Sequence, residues 1–340
     1  MKTETDEFGS EERLKNLPVQ AENPAFASDE MIECDRCARS NPPTRSHCLY
    51  CGAELEIPGA QSKFLKINMR PLEAWEKGFN LIFSPASEDF DDAQIERAAS
   101  LLKLETQSLR RILESKKSLP LARVETQNDA EIVQKKLLET ASLDAKIISD
   151  EDLNANNPPR RLRGMEFSDE KLILILFNAD EIVRIVWDDL ILIVTGAIFE
   201  RRVKGVEARR KSGKRKLVET NETASDKFLI DLYSRADQIG FRVEQQGFDF
   251  SCLGAEKSLL AAENLAALVK RLSKLAPDAK IVEDYMQVRA PLAAVWAVEE
   301  RMDALGLKRD RFAKFNRENV TTINNSAQFT KYSRLQRRLL

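Results

Sequence analysis

The pattern of hydrophobic and polar positions divides the chain into a polar front, a middle that mixes helical and strand-like periods, and a strand-rich second half. Residues 1–30 are acidic and polar and show no hydrophobic period, so we predict a disordered lead-in. Residues 31–57 are too few to bury a core of their own. Pro58, Gly59 and the polar residues that follow them predict a short linker.

Residues 63–155 alternate between strand-like and helix-like patterns. Three short apolar runs predict strands at Phe79–Phe83, Leu119–Val124 and Asp144–Ile148. One-sided apolar stripes predict helices over Asp91–Lys103, after Thr106 and after Asn128. Asn128 has Glu131 three residues later, as in a capping box. The order β-α-α-β-α-β predicts a small sandwich with its helices on one face of a sheet.

Residues 160–306 are richer in strand patterns. Strands are predicted at Leu172–Phe177, Glu181–Trp187, Leu190–Glu200, Lys216–Glu219, Phe228–Tyr233, Phe241–Glu244 and Phe248–Phe250. A long helix is predicted over Lys257–Leu275, and another over Leu292–Leu305 with Gly306 as its stop. Residues 307–340 read as a basic tail. The fold class predicted for the whole chain is multidomain α+β, with antiparallel strands closed by C-terminal helices.

Composition narrows the class of protein but not its function. The chain has 340 residues, is 43% hydrophobic and 32% charged, and has a net charge of −2. This balance excludes polyanion binding by bulk charge and leaves only local clustering for that role. The longest apolar run, Leu190–Phe199, is too short to span a membrane. The acidic N-terminus lacks a signal sequence, so we expect a cytoplasmic protein.

Four of the five cysteines fall in eighteen positions. Cys34 and Cys37 form one Cys-x-x-Cys pair, and Cys48 and Cys51 form a second. Two such turns supply four thiolates, which is the closed tetrahedral shell of a structural zinc site. A disulfide framework belongs to short secreted chains and is the competing interpretation. His47 could replace one cysteine, but four cysteines already complete the shell. Gly52 can supply the positive φ that such a turn often needs.

The segment from Cys34 to Leu55, which ends Cys-Gly-Ala-Glu-Leu, resembles the short zinc-ribbon domains found at the front of bacterial multidomain proteins. The resemblance implies a fold and a structural Zn²⁺ but no activity. The order of elements in 63–155 is similar to the C-terminal domain of the ribosomal stalk protein, and its tail to small bacterial signal-transduction domains. The glycine of the stalk helix is absent from Glu105–Arg111. The strand-rich half resembles pleckstrin-homology-like barrels in element order, and Phe248–Gly254 resembles a segment of uncharacterised bacterial proteins.

One basic run is dense enough to suggest phosphate contacts. It comprises Arg209, Arg210, Lys211, Lys214, Arg215 and Lys216, preceded by Arg201, Arg202 and Lys204. We interpret residues 201–216 as a loop between two strands that could hold phosphates of nucleic acid or lipid. The alternative is a solvated loop that protects a sheet edge. No aromatic residue interleaves this run, which argues against single-strand stacking.

No catalytic constellation stands out in the sequence. The acidic groups Asp91–Asp92, Asp188–Asp189 and Asp150–Asp152 have no partner base and are typical of caps. Cys252 is typical of a small core residue. The sequence therefore predicts a non-enzymatic binding or regulatory adaptor that uses the ribbon to contact a protein partner. The alternative is a nucleic-acid-binding protein that uses the ribbon and residues 201–216, and an enzyme is the third possibility.

Overall fold

A computed structural model gives the fold of two compact units, 1–68 and 69–340. The described residues are 26–45, 47–53, 55–56, 69–70, 72–73, 75–85, 89–178, 181–209, 215–311 and 314–340. The predicted disordered lead-in falls almost wholly outside them. The modules expected at 63–155 and 160–306 remain predictions, and apart from residues 63–68 they fall within the unit 69–340. Among the described residues, no helix is long and apolar enough to cross a membrane.

The first unit is built around its cysteines rather than around an apolar core. Strands β1 (Ile32–Glu33) and β2 (Ser40–Asn41) pair in antiparallel orientation. The buried residues beside them are Ile32, Cys34, Cys48 and Leu55. Among the described residues of this unit, so small an apolar cluster cannot by itself offset the chain entropy of folding, so a metal ion held by the cysteines would add stability.

The second unit begins with a small three-stranded sheet that carries helices. Its strands are β3 (Phe79–Phe83), β4 (Pro120–Val124) and β5 (Ala145–Ser149). Both outer strands pair with β3 in antiparallel orientation. The helices are α1 (Asp92–Leu102), α2 (Thr106–Glu114), α3 (Gln127–Ala141) and the short α4 (Asp150–Leu153). The predicted order β-α-α-β-α-β is confirmed.

The helix starts differ from the prediction in detail. Asp91 caps α1 with a complete capping box to Gln94. The N-cap of α3 is Thr126, whose hydroxyl accepts from the Asp129 backbone N–H, so the prediction of Asn128 as the cap is wrong. Two polar residues stand within two positions of each other there, and the pattern alone does not choose between them.

A nine-stranded sheet dominates the rest of the second unit. Its strands are β6 (Arg160–Phe167), β7 (Lys171–Leu176), β8 (Ile182–Val186), β9 (Leu190–Arg209), β10 (Arg215–Ser234), β11 (Phe241–Glu244), β12 (Lys280–Val282), β13 (Glu299–Arg311) and β14 (Lys314–Asn324). The order is β13-β14-β9-β10-β11-β6-β7-β8, with β12 paired to β9. The pairs β11–β6 and β12–β9 are parallel.

Three helices pack on this curled sheet: α5 (Ala261–Leu275), α6 (Tyr285–Leu292) and α7 (Ser326–Arg338). The predicted long helix is therefore confirmed, with a later start than expected. A buried core between α5 and the sheet includes Trp187, Phe241 and Leu268. The mixed α+β class is confirmed at this level. A pleckstrin-homology-like barrel is not, since two strand pairs are parallel.

Four sequence predictions fail in the large sheet. Residues 292–305 are not one helix, because α6 ends at Leu292 and β13 covers most of the remainder. Residues 307–340 do not form a simple tail, because they complete β13 and form β14 and α7. The two short strands predicted within 216–233 belong to the continuous β10. The strand predicted at Phe248–Phe250 is wrong, because Asp249 makes only an isolated bridge to Gly164 and Phe250 begins a 3-10 helix that ends at Glu256.

Candidate metal centre and basic arm

Four sulfur atoms lie together in the first unit. The Sγ atoms of Cys34, Cys37, Cys48 and Cys51 are all within 4.8 Å of one another. The closest pairs are Cys34–Cys51 at 3.6 Å and Cys37–Cys48 at 3.5 Å. These distances exclude a disulfide, in which the sulfurs are about 2.05 Å apart. Four thiolates around one ion at about 2.3 Å would lie about 3.8 Å apart, so the cluster can hold one metal ion.

The two Cys-x-x-Cys turns share two backbone hydrogen bonds. The N–H of Cys34 donates to the carbonyl of Arg39, and the N–H of Cys48 donates to that of Ala53. Four residues after each first cysteine, the N–H groups of Ala38 and Gly52 donate back to the carbonyls of Cys34 and Cys48. The chain thus builds the same turn twice, and each turn directs two sulfurs inward.

The residue after each second cysteine has a left-handed backbone. Gly52 has φ +71°, which confirms the role predicted for it, and Ala38 has φ +53°. Glycine adopts this region without a steric penalty, whereas alanine does so at a cost. A Cβ at Gly52 would meet nothing within 4 Å, so only the backbone conformation favours glycine there.

Asn41 is a supporting residue that sequence reasoning missed. Its fully buried side chain donates to the Arg39 carbonyl at 2.7 Å and to Cys48 Sγ at 3.5 Å. Its Oδ1 accepts from the Leu49 backbone N–H at 2.8 Å. The Asn41 amide therefore links the second cysteine turn to β2 and donates a hydrogen bond to the sulfur of Cys48. A single asparagine beside two prolines belongs to no recognisable motif, so the sequence does not indicate this supporting role.

The electrostatics of the cluster favour a bound cation. Burial raises the pKa of the Cys37 thiol to about 12. Burial also acts against ionisation of Cys48, but the backbone N–H groups of Tyr50 and Cys51 lower the pKa of that thiol to about 6. One thiolate therefore forms readily, while a neighbouring thiol resists ionisation. A positive ion among the sulfurs would remove that conflict, since metals bind thiolates.

The second candidate site is an extension of the large sheet that we call the arm, formed by residues 199–227 and 299–324. It consists of the hairpins β9–β10 and β13–β14 side by side, joined by pairing of β9 with β14. The first hairpin closes near Arg209↔Arg215 and the second near Arg311↔Lys314. Since Arg317 lies opposite Glu207, both hairpins close at the same end of the arm.

This topology joins two basic runs that are about 100 residues apart in the chain. We call residues 207–217 together with 307–317 the basic tip. The tip contains eleven basic and two acidic residues, a formal charge of +9, which leaves −11 on the rest of a chain whose net charge is −2. The second run supplies Lys308, Arg309, Arg311, Lys314 and Arg317, which sequence reasoning had assigned to a separate tail.

The predicted phosphate-binding residues are partly placed by the structure. Arg209 ends β9, and Arg215 and Lys216 begin β10, with Arg215 opposite Arg209. Arg210, Lys211 and Lys214 lie outside the described residues. The expected loop over 201–216 is wrong in its first half, because residues 201–209 continue β9.

Not every basic residue of the arm is available to a phosphate. Arg201 forms an ion pair with Glu222 at 2.7 Å, and its hydrogen bonds lower the pKa of that carboxyl. Arg202 pairs with Glu200 at 3.0 Å. The base of the arm therefore pairs several of its basic residues with acidic ones, and the excess positive charge is concentrated at the basic tip.

The fifth cysteine and the acidic residues considered as catalytic candidates make contacts that stabilise the fold. Cys252 packs against the large core, and burial raises the pKa of its thiol to about 11, which makes it a poor nucleophile. Asp91 is a helix cap. Asp150 accepts from Arg123 and Lys331 in a buried network.

Comparison with known proteins assigns neither site. No protein-family model matches the chain, and no curated protein or solved structure is significantly similar to it. The metal centre and the arm are therefore interpreted from their own geometry.

Proposed function

We propose that this is a non-catalytic nucleic-acid-binding protein with a structural zinc site at Cys34, Cys37, Cys48 and Cys51. The charge of the basic tip, +9 on a chain whose net charge is −2, carries this proposal. It favours the nucleic-acid alternative over the protein-partner adaptor, because phosphate contacts need clustered cations rather than a particular motif. The six residues Arg209, Arg210, Lys211, Lys214, Arg215 and Lys216 supply about half of that cluster.

The chemistry of the donor set supports zinc. Four thiolates with no oxygen ligand suit a soft or borderline ion, and zinc binds such sets tetrahedrally with no open position. A metal held this way stabilises a fold rather than a reaction. The thiols must stay reduced to bind it, which supports a reducing compartment such as the cytoplasm.

Metal analysis tests the zinc assignment. Protein purified under reducing conditions should contain about one zinc per chain, and replacing Cys34 and Cys51 with serine should abolish it. Replacing Cys252 with serine is the matched control, since that thiol lies in the other unit, and it should leave the zinc content unchanged. A wild-type chain free of zinc, or loaded with a different metal, would overturn the assignment.

Nucleic-acid binding is tested through its salt dependence and through charge reversal. Affinity for duplex DNA and RNA should fall by on the order of a thousandfold between 50 and 200 mM salt if six or more phosphates are contacted. The variant in which Arg209, Arg210, Lys211, Lys214, Arg215 and Lys216 all become glutamate should lose binding. Equilibrium titrations measured by fluorescence anisotropy give both quantities.

A control of equal charge separates the tip from bulk electrostatics. Six exposed lysines outside the arm can be changed to glutamate together: Lys103, Lys135, Lys146, Lys257, Lys274 and Lys280. This variant has the same net charge as the tip variant and should keep most of its affinity. Equal loss in both variants, or no binding by the wild-type chain at low salt, would reject the proposal.

A protein partner at the ribbon is the second candidate function, and one observation favours it. Leu49 and Tyr50, at the second cysteine turn, are 50% and 56% exposed. The guanidinium of Arg39 lies 4.8 Å from the Tyr50 ring centroid. An exposed aromatic with an arginine is typical of interaction hot spots. Affinity purification with the wild-type chain and with the Leu49→Ser, Tyr50→Ser variant tests this: a partner retained equally by both rejects it.

A further inference from the structure

The two edges of the arm differ in composition. Along residues 215–227, β10 pairs only with β9, and β13 pairs only with β14, so both edges are unpaired among the described residues. The β10 edge is polar and exposed from Thr220 to Asp226. The β13 edge instead carries Met302, Leu305 and Leu307, which are 69%, 50% and 72% exposed. A solvated edge is normally polar, so the β13 edge has the composition of a covered one.

The charges along β13 are arranged with opposite signs at its two ends. Its first half contains Glu299, Glu300 and Asp303 with one basic residue, Arg301, and its second half contains Lys308, Arg309 and Arg311 with one acidic residue, Asp310. A strand of this kind is complementary to a second copy of itself in antiparallel orientation, because each acidic half then meets a basic half. Opposite charges facing each other across strands are stabilising, and like charges are destabilising.

We propose that the β13 edge pairs with β13 of a second copy of this chain, in antiparallel orientation about a two-fold axis between Leu305 and Gly306. With Leu305 counted as a bulged residue, this register places Asp303 opposite Lys308. The apolar centre of each β13 then packs against the apolar centre of the other β13. Such an interface is isologous and closes after two chains, and it joins two four-stranded arms into one eight-stranded ribbon.

Edge strands are usually protected by bulges and charged residues, and β13 has both, but neither places a charge at the apolar centre of the strand. β13 has bulges between Ala304 and Gly306 and between Arg309 and Arg311, and bulges and charges commonly block edge pairing. In β13 three of the four basic residues lie in the second half of the strand. The bulge near the centre adds an exposed leucine, Leu305, rather than a lysine. Protection against a neighbour would call for a charge at that position.

Sedimentation velocity on the full chain tests the proposal. The wild-type protein should sediment as a species of twice the 38.6 kDa chain mass. Met302→Lys with Leu307→Lys should raise the dimer dissociation constant by about a hundredfold or more, since four large apolar side chains would otherwise be buried. Thr220→Lys with Thr223→Lys on the β10 edge is the matched control and should change nothing. A monomeric wild-type chain at 100 μM, or a dimer unaffected by the β13 variant, overturns the proposal.

A charge swap tests the register. Asp303→Lys alone and Lys308→Asp alone each place like charges opposite one another in the dimer, and each should weaken it. The double variant restores the pairing and should recover most of the association. Absence of recovery overturns this register. The readout is mass rather than nucleic-acid retention, and both lysine pairs add equal positive charge, so the outcome is independent of the nucleic-acid proposal.

Discussion

The two cysteine turns have similar backbones, but the residue in the left-handed region is glycine in the second turn and alanine in the first. Gly52→Ala puts a Cβ into the left-handed region at a cost of about 1–2 kcal/mol. Because folding of the first unit is coupled to metal binding under the zinc proposal, zinc affinity should fall by about fivefold to thirtyfold. Competition with a chromophoric chelator measures it.

Ala38→Gly is the reciprocal change. It removes the strain at φ +53° but adds conformational entropy to the unfolded chain. Zinc affinity should therefore rise, by less than Gly52→Ala lowers it. If both substitutions shift affinity in the same direction, the left-handed backbone is not what distinguishes these two positions.

How far the metal centre could be predicted from sequence depends on the kind of residue. The cysteines were predictable because ligand chemistry fixes both residue type and spacing, and Gly52 because its φ requirement follows from the turn. Asn41 was not, because its hydrogen bonds to Arg39, Cys48 and Leu49 arise only when both turns are folded together. A supporting amide is determined by three-dimensional proximity, not by a local pattern.

Among the elements, β10, β11 and α7 are joined by a buried ion pair. Asp231 and Arg242 lie opposite each other on β10 and β11, are 0% and 3% exposed, and make two hydrogen bonds of 2.7 and 2.8 Å. Arg242 also donates to Thr330 on α7. Removing the carboxylate alone leaves a buried charge without its partner, so Asp231→Leu should lower the free energy of unfolding by about 3–5 kcal/mol. Urea denaturation measures this.

The double variant separates the value of the pair from the penalty of breaking it. Asp231→Leu with Arg242→Met replaces both charges by apolar side chains, and Thr330 keeps its own bond to the Ser326 carbonyl. Such a replacement is often neutral or stabilising, so the double variant should be more stable than Asp231→Leu. A double variant less stable than that single one would show that Arg242 stabilises the sheet through contacts other than its pair with Asp231, such as its bond to Thr330.

The predictions that failed at this scale share one cause. Residues 299–305 contain Glu, Met, Ala and Leu, which favour a helix locally, yet they form β13 because β14 offers a backbone partner to each of them except the bulged Leu305. The middle of β10 is polar on both faces, so its sequence shows no alternation of apolar and polar residues. Pairing with β9 keeps the strand continuous between the two short strands that were predicted. Sequence patterns report burial, and strands exposed on both faces escape them.

At the scale of the second unit, α7 connects the small sheet to the large one. Eight of its residues are buried, most of them polar. Tyr233 of β10 shares a hydrogen bond with Ser333 at 2.8 Å, and Lys331 donates to Asp150 at 3.1 Å. The last helix of the chain therefore fixes the two sheets together through polar contacts, and these contacts should respond to pH.

Asp150 is the centre of that response. It accepts from the Gly78 N–H, Asn80, Arg123 and Lys331. Burial raises its pKa, but Lys331, Asn80 and Arg123 together outweigh burial and lower it below the usual value. A carboxyl with a lowered pKa stabilises the fold above its unfolded pKa of about 3.9 and loses that effect as the pH falls through the folded pKa.

Asp150→Asn should therefore destabilise the protein strongly at pH 7, by about 3–5 kcal/mol, because Arg123 and Lys331 lose their buried partner. At pH 3 the difference from wild type should be smaller than at pH 7, because pH 3 lies below the unfolded pKa of about 3.9, where the unfolded chain binds a proton at Asp150 more readily than the folded chain does. Urea denaturation at both pH values measures the difference. Glu151→Gln is the control: its pair with Lys77 is 72% and 79% exposed, so its effect should stay below about 1 kcal/mol. A difference for Asp150→Asn that is constant between pH 7 and pH 3 would mean that the contacts of Asp150 act through shape rather than charge.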